Sequence, residues 1–463
     1  MKKSLFMALA AGTFLFSACS SDDALNNDVA QDSSAQQIVL QVASSGDGLQ
    51  TRAGRPLYSS AALQAVQNVR VLIYNPSDGN KIVYDSEKNL NWVDSKEYND
   101  ATGHGRRLTI TLKGDDKIQN AGSYKIVAVG YSNGSDYKFL HDVAGNASLK
   151  NKTYADITAT LAADKNAEEV FAGEADLTIS SDLKIAPVSP EIGASVTLHR
   201  QVAGGFGYFT NIPAQIDGKN AKYLRLVMRS KNNVLTFNNF NKAFTTLGSN
   251  KMYVVNGSRT ETDAPEADAY FSQGNVVYTN GDKGYTLYTI DLTNWFPKHD
   301  VNGDGFLGYA DYEKDNTAWT RPTTIKEPMI KGSVFASNFI IPFALESGKK
   351  TMELQLLDES KNILKVWNVT IPSADVNTSA EGAKDVSASI FNVVRNHMYN
   401  LGVKNTQITK PDPTNPDPNP DPTPDPDPNP ENPDNKPEDL SKGQNLVLKV
   451  NDNWETIHQM EIE

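Results

Sequence analysis

The chain has 463 residues, with 44 Lys and Arg against 56 Asp and Glu; the net charge of −12 and the lack of any Lys/Arg-rich block exclude nucleic acid as a partner class. Cys19 is the single cysteine, so the body that follows it has no internal disulfide and must be held by its core. After a leader, about 440 residues remain, enough for two or three domains with cores of their own.

Lys2 and Lys3 open the chain, and an apolar run over 5–18 follows. That run is too short to span a bilayer and sits where a secretory h-region belongs. Ser17 and Ala18 directly precede Cys19, which reads as a bacterial lipobox. Residues 1–18 are then the signal peptide, and the Cys19 thiol carries a covalent lipid that anchors the precursor without a membrane-spanning helix. The plainer reading is an ordinary signal peptide with an incidental cysteine. Ser20-Ser21-Asp22-Asp23 continues as a polar tether.

Gln37-Ile38-Val39-Leu40-Gln41-Val42 reads as a strand with Ile38, Leu40 and Val42 on one face. Ser44-Ser45-Gly46-Asp47-Gly48 breaks it. Thr51-Arg52-Ala53 then presents an arginine bond between small residues, the kind of exposed bond that proteases cut, whereas Arg55 is followed by Pro56 and is a poorer site. Residues 19–52 are therefore expected to be a lipidated propeptide, removed between Arg52 and Ala53.

From 57 to about 403 the pattern is one of many short strands with Gly, Asn, Asp and Ser turns. Val69-Arg70-Val71-Leu72-Ile73-Tyr74 runs into the turn cluster Asn75-Pro76-Ser77-Asp78-Gly79, and residues 124–129, 223–228, 352–357 and 364–371 repeat the β-rich pattern. Long amphipathic helical periods are scarce. The expectation is an all-β chain of two tandem β-sandwich domains, 53–200 and 201–409, with the junction near 189–202.

Within the second domain, Asp300-Val301-Asn302-Gly303-Asp304-Gly305-Phe306-Leu307-Gly308-Tyr309-Ala310-Asp311 follows the calcium-loop pattern of EF-hands and dockerins. Asp300, Asn302, Asp304, the Phe306 carbonyl and Asp311 are the expected oxygen ligands of a structural calcium ion, and Gly305 takes the sharp turn at the sixth position. Gly308 at the ninth position leaves a water to serve there, and Asp311 stands where Glu is usual. The competing reading is an acidic, Gly-rich surface turn.

Twelve of the 23 prolines lie between Pro411 and Pro437, mostly in Pro-Asp and Pro-Asn repeats. A 410–437 linker of this composition is expected to be extended polyproline II, and at roughly 3.1 Å per residue it reaches about 80 Å. Residues 438–463 follow, with one strand over Asn445-Leu446-Val447-Leu448-Lys449-Val450 and a second, short one over 454–462.

Ile38-Val39-Leu40-Gln41-Val42 and Leu446-Val447-Leu448-Lys449-Val450 share a pattern: apolar residues at alternate positions, Val second, a long polar residue fourth. A groove that accepts one would accept the other. Together with the Arg52 site this predicts strand replacement, in which cleavage frees the first strand and Leu446, Leu448 and Val450 of another subunit fill the gap. Two ordinary sheet strands would show the same short similarity.

The lipobox, the Thr51-Arg52-Ala53 site, Ala194-Ser195-Val196-Thr197-Leu198-His199-Arg200-Gln201-Val202-Ala203 and Val394-Arg395-Asn396-His397-Met398-Tyr399-Asn400-Leu401 resemble Bacteroidales fimbrillins, the type V pilins. Within them the chain is most similar to the short-fimbria major subunit, whose terminal strand around a Trp matches Val450-Asn451-Asp452-Asn453-Trp454. Ser20-Ser21-Asp22-Asp23 resembles the acidic signals that send lipoproteins of that order to the outer leaflet. The resemblance implies transthyretin-like, Greek-key sandwiches, an outer-membrane lipoprotein precursor, cleavage by an Arg-specific protease, and donor-strand polymerisation into an extracellular fimbrium that supports adhesion to host or bacterial surfaces. The implied partners are copies of the chain and other fimbrial subunits, anchor and tip. An anchor would lack the Arg site and a tip the C-terminal strand, so stalk is the assignment; the long Pro-Asp segment departs from the family pattern.

Enzyme readings fare badly, with a carboxylate pair for glycoside hydrolysis, distant in sequence, left as the open alternative. The six histidines (His104, His141, His199, His299, His397, His458) are scattered, without metal-ligand spacing, and there is no nucleophile elbow or phosphate loop. The rival reading is a monomeric outer-membrane lipoprotein that binds glycan or host protein, with Trp92 in its polar surroundings as the first residue to examine.

Overall fold

The structure is a computed structural model that describes residues 36–44 and 68–85, most of 90–370, 393–404 and most of 425–451. Cys19, Arg52, Ala53, Trp92, Leu448 and the expected strand at 454–462 lie outside the described residues.

The N-terminal half is built from β1 (Gln36–Ser44), β2 (Asn68–Asn75), β3 (Lys81–Asp85), β4 (Lys96–Asp100), β5 (Gly103–Leu112), β6 (Gly122–Tyr131), β7 (Val170–Ile179) and β8 (Ala194–Arg200). Hydrogen bonds link them in the order β3-β2-β6-β7-β8-β1-β5-β4. The β7–β8 pairing is confined to Phe171↔Arg200 and Ala172↔His199, and the sheet folds over there into two layers. Val69, Val71, Ile73, Tyr124, Ile126, Leu177 and Ile179 of one layer pack on Ile38, Leu40, Ile110, Leu112, Ala194, Val196 and Leu198 of the other. The β2 sequence NVRVLIYN is apolar on both faces because both are covered: Leu72 and Tyr74 point the other way, into the second half's core. Arg70 is accommodated in that strand by a bidentate pair with buried Asp85, at 2.8 and 2.7 Å.

The C-terminal half contributes β9 (Ala203–Thr210), β10 (Tyr223–Met228), β11 (Lys283–Asp291), β12 (Phe306–Leu307), helix α1 (Tyr309–Lys314), β13 (Ser333–Ile340), β14 (Met352–Leu357), β15 (Ile363–Thr370), β16 (Met398–Leu401), β17 (Val403–Lys404), β18 (Asn435–Lys436), β19 (Glu438–Asp439), β20 (Asn445–Val447) and β21 (Lys449–Asn451). One sheet runs β13-β9-β16-β21; the other carries β11-β10-β14-β15-β20. Phe206, Phe335 and Tyr399 from the first meet Leu226, Leu354 and Trp367 from the second in a common core. The fold is all-β: α1 is the one α-helix among the described residues, and no helix there is long and apolar enough to cross a membrane.

The chain passes between the halves at 201–202, and residues 36–463 form one compact unit. The halves share more than that passage. Strands Lys138–Leu140 and Thr158–Thr160 of the first half join Val234–Thr236 and Gly257–Ser258 of the second in one four-stranded sheet. The two motifs around Arg200 and His397 also meet here: the Arg200 guanidinium pairs with Glu169 at 2.9 Å and reaches Asn396, whose N–H donates to the Val202 carbonyl at 2.8 Å.

Candidate assembly site

β1 occupies an interior position. It runs antiparallel to β5, with Ile38 opposite Ile110, and parallel to β8, with Leu40 opposite Ala194 and Val42 opposite Val196. Ile38 and Leu40 have no exposed surface. Both edges of the strand are therefore hydrogen-bonded and one face is core, the environment that the alternation predicts.

Gln36, which the sequence alone does not single out, fixes the start of β1. Its side-chain Nε2 donates to the Ile118 and Leu183 carbonyls, both at 2.8 Å, and its Oε1 accepts from the Ile118 N–H at 2.8 Å. The residue is 4% exposed, so a primary amide has been buried with partners on both its ends. Its partners are 82 and 147 positions away, so no local pattern shows what it contacts.

The C-terminal segment lies on its own second half. Among the described residues, β20 pairs with β15 (Leu446 opposite Val369) and β21 with β16 (Val450 opposite Tyr399), each through three residues and on one side. Leu446 is buried in the C-terminal core. One short segment thus caps the edges of both sheets of the half that carries it.

The second part of the Pro-Asp stretch is docked as well. Asp425 accepts from Arg321 Nε at 2.7 Å and from the Met329 N–H at 2.8 Å, Lys331 N–H donates to the Pro426 carbonyl at 3.0 Å, and Lys331 Nζ pairs with Asp427 at 3.1 Å. Tyr208 accepts from the Ile330 N–H at 2.9 Å and donates to Asn435 at 3.0 Å; burial pushes its hydroxyl up to about 12. β18 pairs with β17, β19 with β9, and Leu440 is fully buried.

The 300–311 loop sits beside this docking surface. Asp300 accepts from Gly303 N–H at 2.9 Å and Gly305 N–H at 3.1 Å, and Asp304 accepts from Phe306 N–H at 2.8 Å. Gly305 has φ of 86°, so the residue type at the sixth position is required by its left-handed backbone. β12 pairs with Ile212–Pro213, and α1 follows immediately. Asp311 points back from α1 into the loop and accepts from Gly308 N–H at 3.0 Å; burial holds its carboxyl above the ordinary range, opposed by the N–H groups of Gly308, Asn302 and Val301. The donor set is hard oxygen throughout, which fits calcium in kind. Asn302, however, turns its amide nitrogen onto Asp304 at 2.7 Å, and among the described residues no three acidic or imidazole side chains converge to hold a metal. α1 passes the loop's position on to the arm, since Lys331 stands 4.7 Å over the Tyr312 ring while it pairs with Asp427.

No family model and no curated protein matches the chain. Among solved structures it is similar to a candidate adhesin from Bacteroides thetaiotaomicron, at 10% identity over 90% of this chain and 96% of that one, with a TM-score of 0.35. A candidate cell adhesion protein from Parabacteroides distasonis has 12% identity, coverage of 90% and 99%, and a TM-score of 0.34. A C-terminally truncated tip fimbrial protein from Porphyromonas gingivalis has 11% identity, coverage of 79% and 93%, and a TM-score of 0.29. All three bear adhesion or fimbrial names, the class that the sequence motifs resemble; TM-scores of this size lend no weight to a function, which rests on β1, the C-terminal segment and the loop.

Proposed function

We propose that this chain is a stalk subunit of a surface fimbrium, exported as an outer-membrane lipoprotein through Cys19, matured between Arg52 and Ala53 by an Arg-specific protease, and polymerised by donor-strand exchange in support of adhesion. The observation that carries this reading is the place of β1. It fills the middle of a sheet, yet its covalent link to β2 runs through the segment that holds Arg52. After cleavage it is retained by non-covalent contacts alone.

Departure of β1 would leave Ile110, Leu112, Ala194, Val196 and Leu198 around a slot flanked by two strands with unpaired N–H and C=O groups. Such a slot takes an extended apolar-alternating segment, and Leu446, Leu448 and Val450 of a second copy supply one. Once β1 has left, the segment gains by moving: among the described residues its ladders on its own half are three residues each, whereas the vacated slot offers up to seven pairs on one side and five on the other. Asp300, Asn302 with its amide turned, Asp304, the Phe306 carbonyl and Asp311 would hold a structural calcium ion, which would stiffen the loop on which α1 and the arm rest. The protein is no enzyme in this reading.

The placement of β20 and β21 on their own half favours one alternative, a self-capped monomeric surface lipoprotein that binds glycan or host protein. Comparing Arg52→Ala with the wild type separates the two. The fimbrial reading expects a lipidated monomer from the variant and polymer from the wild type; polymer at the wild-type rate from Arg52→Ala would sink it, and monomer from both would favour the binder.

A further inference from the structure

The slot that β1 fills selects a register as well as a hydrophobic pattern. An alternating strand can slip by two residues and still present apolar side chains to the core, so alternation by itself cannot fix where a donor stops. Gln36 breaks that degeneracy. Its amide is engaged by both backbone groups of Ile118 and by the Leu183 carbonyl, inside the protein, two residues before the first core-facing apolar position, Ile38.

The sequence of the C-terminal segment repeats the pattern, with Gln444 just outside the described residues. Placing Leu446, Leu448 and Val450 on Ile38, Leu40 and Val42 puts Gln444 on Gln36, so that Gln-x-apolar-Val-Leu is common to Gln36-Gln37-Ile38-Val39-Leu40 and Gln444-Asn445-Leu446-Val447-Leu448. We propose that Gln444 of a second copy of this chain takes over the contacts of Gln36 with Ile118 and Leu183, and is the residue that sets the register of the donor strand. This rests on the donor-strand reading above and names its partner and its alignment. Slipped by two in one direction, Leu446 meets the polar cradle of Ile118 and Leu183; slipped in the other, Gln444 enters the apolar core at Ile38. Either way buried amide partners are left unmatched, which typically weakens binding about tenfold or more.

Register is read directly by cross-linking. In the precursor bearing Cys19→Ser, β1 aligns Gln37 with Thr111 and Val39 with Thr109 on β5, and both threonines are exposed. A donor in the Gln444 register therefore sets Asn445 opposite Thr111. Asn445→Cys combined with Thr111→Cys should give a covalent ladder on a non-reducing denaturing gel after Arg-specific cleavage, and Asn445→Cys with Thr109→Cys should not. Adding Gln444→Leu should shift the link from Thr111→Cys towards Thr109→Cys. The proposal is overturned if the link forms at Thr109→Cys from the start, or if Gln444→Leu leaves the Thr111→Cys link unchanged. Polymer that forms with neither link overturns the proposal while leaving strand exchange by another segment standing. Absence of polymer even from the Cys19→Ser parent after cleavage removes the donor-strand reading itself.

Discussion

Truncating Leu40 to alanine should weaken the precursor while leaving the polymer as stable as before. Leu40 has no exposed surface and packs between the two layers of the N-terminal half. A buried Leu→Ala change of this kind costs about 3 kcal/mol, the lost transfer energy plus the cavity left between the layers. While the chain is intact, that loss appears as a lower melting temperature. After cleavage at Arg52 it appears in how long the propeptide stays bound. At about 1.4 kcal/mol per tenfold, dissociation should accelerate by about a hundredfold if the transition state for departure has already lost the core contact. The assay is fluorescence anisotropy of Cys19→Ser precursor labelled at a cysteine introduced at Ser33, followed from the moment the protease is added. Release within twofold of the wild-type rate would refute the packing of β1 described here. The polymer supplies the second half of the test, because β1 is absent from it. Equal weakening of precursor and polymer would mean that β1 is never exchanged.

Deleting residues 444–463 should leave a folded, cleavable subunit that accepts a strand but cannot donate one; fibres that still elongate would place the donor elsewhere. Calcium should raise the melting temperature of the wild type and leave Asp304→Ala unmoved, and equal melting curves with and without calcium in both would reject the ion. Asp425→Ala, by removing the acceptor for Arg321 and Met329, should open the Pro-Asp stretch to limited proteolysis at a cost of about 1 kcal/mol, with no change in the N-terminal half. Glu168 tests the pH dependence of the fold: burial raises its carboxyl above the usual range, so its ionised form opposes folding and stability returns as pH falls through the raised value. Glu168→Gln should therefore stabilise slightly at neutral pH and lose that advantage in acid, read as melting temperature against pH.

The readable parts of this chain are those governed by neighbours in sequence. β1 and β2 follow from their apolar patterns, and the sharp turn of the 300–311 loop follows from Gly305. What the sequence hides depends on distant partners. The shared sheet between the halves is made of strands of two or three residues such as Thr158–Thr160 and Val234–Thr236, too short to show a period. The arm's anchors include two Asp residues among near-identical Pro-Asp units, and Asp425 is distinguished by Arg321, 104 positions earlier, as Asp427 is by Lys331. Gln36 likewise gains its role from Ile118 and Leu183.

The most direct test is to treat the Cys19→Ser precursor with an Arg-specific protease, run it unboiled on a denaturing gel and sequence the new N-terminus. Donor-strand exchange should give an Ala53 N-terminus together with a ladder of oligomers. Cleavage at Ala53 that leaves only monomer, or resistance at Arg52, would contradict it.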